Sequence, residues 1–372
     1  MMNNSDDVYQ NLGFLHAITY VSVLFLNFFC KIVYNFLTNA TLTILVNAFL
    51  FYVVNRYSRP EIGSYKYLIL CFSLFGILYA VIDLVVQPGM FCYGSAFGMF
   101  PTSFLRHAPF EMQIISSLYP AAYSMSIFLL MLHFILRYFV ICKTYCLRLF
   151  RYPRCFIWVV LFIIYSGNFC LDCLLILIPD KSHRDYVRKY FEESYQVNPD
   201  NVYFYIGRYF EETPNGKVPR WGDCLCIVNL VFLNMIVLVT ILYIFFRMLQ
   251  AMKDIGISMS FRSKRLQIQY FRALTLQFFI PLGTAFIPVG IYYFCPLFGI
   301  ELGIYSNIIV ISFSFQLLFD GCITLFIITD YRRAVLKTMQ NVVYFCIRRQ
   351  IFRSSKVQAN ASNFTAKSEK TI

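Results

Sequence analysis

The residues best suited to chemistry in this chain are polar side chains set deep inside long apolar runs: Asn47, Asp83, His133, Asp172 and Asp320. They do not assemble into a catalytic set. The four histidines, His16, His107, His133 and His183, stand apart, with no two at metal-ligand spacing, so a His-rich metalloenzyme site cannot be built from them. Serines and cysteines inside the runs lack a neighbouring base and an orienting partner, and no glycine-rich loop follows a strand to cradle phosphate. The chemistry that remains is binding and switching, with no enzyme activity, cofactor or metal implied. Cys71, Cys170, Cys173 and Cys322, of 13 cysteines in all, lie in apolar runs, where a thiol acts as a small hydrophobe.

What positions these groups is a membrane. The chain is 59% hydrophobic and 14% charged over 372 residues, well short of the quarter charged residues usual in soluble domains. Of its 32 Lys and Arg, 23 fall in four stretches, Arg56–Lys66, Arg137–Arg154, Arg247–Arg272 and Arg332–Lys370. Apolar segments long enough to cross about 30 Å of hydrocarbon separate them. Positive charge sorted to alternate ends marks those stretches as cytoplasmic, with the amino terminus outside and the carboxyl terminus inside. The net charge of +13 is explained by orientation and anionic headgroups, not by nucleic acid.

The expected fold is therefore an all-α membrane protein, a seven-transmembrane helix bundle with a cytoplasmic amphipathic helix after the last span. The spans read as Val33–Val54, Tyr67–Gln87, Met112–Leu136, Cys155–Ile178, Leu225–Met248, Ala273–Phe294 and Leu302–Thr329. Residues 1–32 form an extracellular segment, 33–329 the bundle, and 330–372 a tail whose amphipathic helix covers 331–350. The apolar leader Phe14–Cys30 reads as an extension of the first span or an interfacial helix, with an eighth span as the alternative. The long loop Pro179–Asp223 has nearly balanced charge, with a short helix over Arg184–Tyr195 and an aromatic strand or extended piece over Tyr203–Phe210.

Depth can be counted from the basic edges. Asp320 lies ten residues from Asp330 and Asn47 nine from Arg56, which puts both about 15 Å into the core at 1.5 Å per residue. They are expected to approach one another. An intramembrane acid costs roughly 2.5–3.5 kcal/mol on insertion scales, so it invites a functional reading. Asp83 and Asp172, close to the outer ends of their spans, read as acids at a solvated rim. Arg137-Tyr138, after His133, falls at the inner headgroup level. Pro281 and Pro288 mark bends in the sixth span. Tyr119, Tyr123 and Phe128, with Phe286, Tyr292 and Tyr305, are candidates to line a ligand pocket, although such spacing serves packing equally well. Cys92 and Cys224 are candidates for an outer disulfide.

Several segments in order resemble the Str-type nematode chemoreceptors, a branch of the seven-transmembrane serpentine, G-protein-coupled receptors. They are Ile62-Gly63-Ser64-Tyr65-Lys66-Tyr67-Leu68, Pro88 with Phe91-Cys92-Tyr93, His133-Phe134 with Arg137-Tyr138, Ala273-Leu274 with Gln277 and Ile280-Pro281, then Ile287-Pro288, and Asp320 with Tyr331-Arg332-Arg333. Leu136 stands where the family has Tyr, and Gly321 where it commonly has Pro. The resemblance covers about Asn47 to Arg333. It implies a multi-pass plasma-membrane receptor of sensory-neuron cilia that detects a small-molecule odorant or other chemical cue. It also implies a heterotrimeric G protein as partner, facing Arg137 and the basic third loop. A transporter or ligand-gated channel is the other class considered, but no repeated halves with matching helix breaks are present.

Overall fold

The computed structural model describes residues 36–58, 65–104, 110–254, 261–341 and 344. In chain order the elements are α1 (Phe36–Tyr57), α2 (Tyr65–Val86), β1 (Pro88–Tyr93), β2 (Ala96–Pro101), α3 (Phe110–Cys142), α4 (Phe156–Leu171) and α5 (Lys181–Tyr195). There follow β3 (Tyr205–Arg208), β4 (Phe210–Thr213), β5 (Gly216–Pro219), α6 (Trp221–Asp254), α7 (Phe261–Pro281), α8 (Ile287–Leu297) and α9 (Asn307–Ile327). A last helix, α10, covers 329–341. Among the described residues, seven segments are long and apolar enough to span a bilayer: α1, α2, α3, α4 with the turn after it, α6, α7 with α8, and α9. The leader Phe14–Cys30 and the tail helix beyond 341, Tyr344 apart, lie outside the described residues.

Helix α3 is the axis of the bundle and packs against α2, α4, α6 and α7. Ala122, Ser124, Ile127 and Phe134 are among its many buried residues. The lipid-facing helices instead expose Ile163, Ile164, Val228 and Phe232, as expected where hydrocarbon replaces water around the bundle. Because α3 continues to Cys142, Arg137 is not at its end. It lies a turn and more inside and is 3% exposed, covered by protein.

One end of the bundle carries a sheet. β1 and β2 form a hairpin with Tyr93 opposite Ala96, and Gly94 at φ +54° makes the tight turn, the left-handed conformation that two-residue hairpin loops demand. β3 adds antiparallel to β2, pairing Phe97 with Gly207. A side chain at Gly98 would strike the Tyr205 carbonyl and the Phe91 ring. α5 lies over this sheet, burying Val187 and Phe191 against Phe91, Phe100, Phe204 and Ile206. The first turn of α5 is capped reciprocally: Asp180 accepts from the His183 backbone N–H at 2.8 Å, and His183 Nδ1 accepts from the Asp180 backbone N–H at 3.3 Å.

The other end is basic. Ile328 is extended (ψ 114°) and breaks α9 from α10. Tyr331, fully buried, packs with Leu50, Val54, Tyr65, Leu136 and Leu325, and its hydroxyl lies 2.8 Å from Ser58 Oγ.

Candidate functional site

Three groups of residues stand out along the bundle axis. Under the sheet lies a cavity of about 100 Å³. Gly98, Met99, Tyr205 and Gly207 roof it, and Tyr119, Pro120 and Tyr123 of α3 form one wall. Phe169 and Cys173, Leu230 of α6, Val289 and Tyr292 of α8, and Phe313 of α9 close the rest. Among the described residues, no charged side chain lines it. Two wall tyrosines are held by their hydroxyls: Tyr292 donates to the Gly98 carbonyl at 2.6 Å, and Tyr123 to Asn234 Oδ1 at 3.4 Å. Of the candidate lining residues, Tyr119, Tyr123 and Tyr292 face the cavity. Phe286 packs against the core, Phe128 meets Phe162 edge-on and Tyr165 at a tilt, and Tyr305 is exposed.

Midway along the bundle α9 gathers its neighbours through polar contacts. Ser314 Oγ donates to Asp83 Oδ2 of α2 at 2.8 Å. Asn47 Nδ2 donates to Thr43 O at 2.9 Å and reaches Leu317 O of α9 at 3.4 Å. Gln277 Nε2 of α7 donates to Thr324 Oγ1 at 2.9 Å and to the Asp320 carbonyl at 3.4 Å. Asn47 is wedged between two glycines: a Cβ would come within 2.9 Å of its side chain at Gly76 and 3.4 Å at Gly321. That packing accounts for Gly321. Asn47 thus meets the helix that bears Asp320, one turn from the carboxylate, without a bond between the two side chains among the described residues. Asp320 itself is 1% exposed.

Asp83 and Asp172 are buried, not at a wet rim. Asp172 begins a π-helical turn, Asp172–Ile176, and accepts from Asn229 Nδ2 at 2.9 Å. Cys92 and Cys224 are free thiols, which corrects the expected disulfide. Cys92 Sγ is directed at the Ile300 carbonyl and Cys224 Sγ at the Tyr209 carbonyl, each 3.5 Å away. Burial pushes the Cys92 thiol up to about 11.

At the basic end Arg137 lies beneath Tyr65, its guanidinium carbon 3.7 Å from the ring centroid. His133, one turn earlier, sits between Tyr65 and Phe72 with ring centroids 5.6 and 5.1 Å away. Tyr138 is buried beside Phe139. In the sixth span, Pro281 and Pro288 bracket a π-helical turn, Leu282–Phe286, whose end the Ile287 backbone N–H closes onto the Leu282 carbonyl. Sequence reasoning missed the sheet that roofs the cavity. Its signals were Gly94-Ser95 between apolar segments and the extended reading of Tyr203–Phe210, which holds β3.

These features define a rhodopsin-like receptor fold. The crystal structure of squid rhodopsin superposes with a TM-score of 0.56, covering 85% of this chain and 86% of that one at 10% identity, a likeness of fold alone. The profile of the serpentine type 7TM GPCR chemoreceptor Str family matches residues 32–336, and the chain belongs to that family. Serpentine receptor class r-10 of Caenorhabditis elegans is 29% identical over 282 residues, covering 74% of this chain and 81% of the relative. G-protein coupled receptor str-33 of the same organism is 28% identical over 288 residues, covering 76% and 84%. The chain is thus a multi-pass membrane protein of a receptor family, not of an enzyme family.

Proposed function

We propose that this chain is a chemosensory G-protein-coupled receptor whose ligand is a small, neutral, mainly apolar molecule held in the cavity under the sheet. The sheet end faces outward and the basic end meets a heterotrimeric G protein at the plasma membrane, by family analogy in the cilia of sensory neurons. One observation carries the reading: the cavity is walled by α3, α6, α8 and α9 and lacks any charged side chain. An amine or carboxylate there would be a buried ion without a partner, at a cost of several kcal/mol. Size narrows the class further. A dry cavity of about 150 Å³ accepts benzene, so about 100 Å³ suits a molecule of a handful of heavy atoms, small enough to be volatile.

The Asn47–Gly321–Asp320 region and the proline-bracketed turn are proposed to relay occupancy of the cavity to Arg137. A screen of neutral volatiles against cells expressing the chain, with a second-messenger readout, tests this. Cys173→Phe fills the cavity and is expected to abolish the response, and Arg137→Ala to abolish it with surface expression intact. A ligand-gated current that persists without any G protein would overturn the reading in favour of a channel.

A further inference from the structure

Five tyrosines line the cavity under the sheet, and their hydroxyls are not alike. Tyr292 donates to the Gly98 carbonyl and Tyr123 to Asn234 Oδ1. Tyr205 is hydrogen-bonded with Ser117, and the Tyr119 hydroxyl is enclosed in the core beside Tyr79. Tyr293 is the exception. It is only partly buried, and its hydroxyl has no hydrogen bond among the described residues.

Tyr293 owes its place to α8. It stands one turn after Val289 on the same helix face, and both side chains line the cavity. Its ring is held by two others, edge-on to Phe97 with centroids 5.2 Å apart and 5.9 Å from Tyr292. Close to its hydroxyl are the Tyr123 hydroxyl and the Cys173 thiol, both of the cavity wall. The result is a positioned O–H whose proton is uncommitted, in a wall that is otherwise mainly apolar.

We infer that Tyr293 is the polar handle of the cavity and donates its O–H to the ligand, which is an uncharged molecule with an accepting oxygen, such as an ether or a ketone. The inference rests on the proposed function and narrows its ligand from any neutral apolar molecule to an oxygenated one. A buried hydroxyl without a partner is costly. A hydrocarbon that fills the cavity leaves the Tyr293 proton unpaired, whereas an accepting oxygen takes it. Sites that hydrogen-bond one group of a ligand reject analogues lacking that group for this reason. The choice is not steric, since an oxygen is no larger than the methylene it replaces. One neutral hydrogen bond of this kind changes affinity by about tenfold.

The test uses the full chain in nanodiscs and two matched pairs of volatile probes, tetrahydrofuran with cyclopentane and cyclopentanone with methylenecyclopentane. Within each pair an oxygen replaces a methylene group at nearly constant shape. Binding is read by thermal shift against probe concentration, and Cys173→Phe, with the cavity filled, is the reference that cancels partitioning into lipid. The ratio of affinities within each pair is compared between wild type and Tyr293→Phe, so that the differing hydrophobicity of the two members cancels. Tyr293→Phe deletes only the hydroxyl, and the unliganded melting temperature reports whether the fold is kept. It is expected to lower the oxygen-to-hydrocarbon ratio by about tenfold in at least one pair, and a fall confined to one pair tells an ether oxygen from a carbonyl. Both members weakened alike, or ratios unchanged in both pairs, overturns the inference and leaves the cavity as the ligand site. Binding of none of the four probes to the wild type beyond Cys173→Phe overturns the cavity reading and the inference with it.

Discussion

At the scale of single residues, the polar core was partly legible because depth can be counted along a helix from a charged edge. That arithmetic placed Asn47 and Asp320 at one level, and the fold puts Asn47 against the helix carrying Asp320. It failed for Asp83 and Asp172 because distance from a span's end says nothing of what folds over that end. Gly321, a departure from the family's usual proline, has its reason in contact: a Cβ would meet Val46 Cγ1 at 2.9 Å. Gly321→Ala is therefore expected to destabilise the bundle by about 1–3 kcal/mol through overpacking, seen as a lower melting temperature in detergent, and Gly76→Ala to act in the same direction. Asp320→Asn keeps the shape and removes the acid. A buried ionisable group without a hydrogen-bond partner is costly, and both Asp320 carboxyl oxygens are such groups, so the melting temperature should hold or rise while ligand potency falls tenfold or more. Loss of fold and response together would assign Asp320 a structural part only.

At the scale of elements, the prolines were visible in sequence, but what they do was not. A π-helical turn accommodates one extra residue and shifts the helix face by about 100°. Helical periodicity carried from α7 into α8 therefore points the wrong way: Phe286 packs against the core, and Tyr292 lines the cavity. Pro281→Ala, by favouring regular helix, is expected to turn Val289 and Tyr292 away from the cavity. The response should fall more than the melting temperature does, and circular dichroism should show helix content retained. The cap over the sheet makes a separate expectation about pH. Partial burial opposes ionisation of Asp180, but the His183 backbone N–H and Arg220 outweigh it and hold its carboxyl below the usual 3.8. The Ser182 hydroxyl, which donates to it, and then Arg220 hold Glu211 below the usual 4.5. A carboxyl depressed on folding stabilises above its unfolded pKa, and that stabilisation disappears as pH falls through the folded value. The cap is thus expected to loosen below about pH 4, with hydrogen exchange rising across residues 181–195 while the buried backbone of α3 stays protected.

At the scale of the whole molecule, charge sorting and hydropathy gave the seven spans, because the membrane imposes both on the sequence directly. The sheet that encloses the cavity was hidden for the opposite reason: β1, β2 and β3 come from two loops more than a hundred residues apart along the chain, and no local pattern records their pairing. The same is true of the closed basic end, where Tyr65 covers Arg137 and Tyr331 fills the space below α9. A G protein cannot touch Arg137 in this arrangement, since the side chain is 3% exposed. The proposed contact of a G protein with Arg137 would require Tyr65 and Tyr331 to give way, and on that proposal their packing sets how rarely this happens without ligand. A desolvated cation–π contact contributes about 2 kcal/mol, and a shift of that size changes a two-state population roughly thirtyfold. Tyr65→Leu, which keeps the bulk and removes the aromatic face, is expected to raise ligand-free second-messenger output severalfold, and Tyr331→Ala to raise it with a larger loss of stability. Output in Tyr65→Leu that stays at the wild-type baseline, at equal surface expression and with full ligand response, would mean that the Tyr65–Arg137 contact does not restrain the receptor.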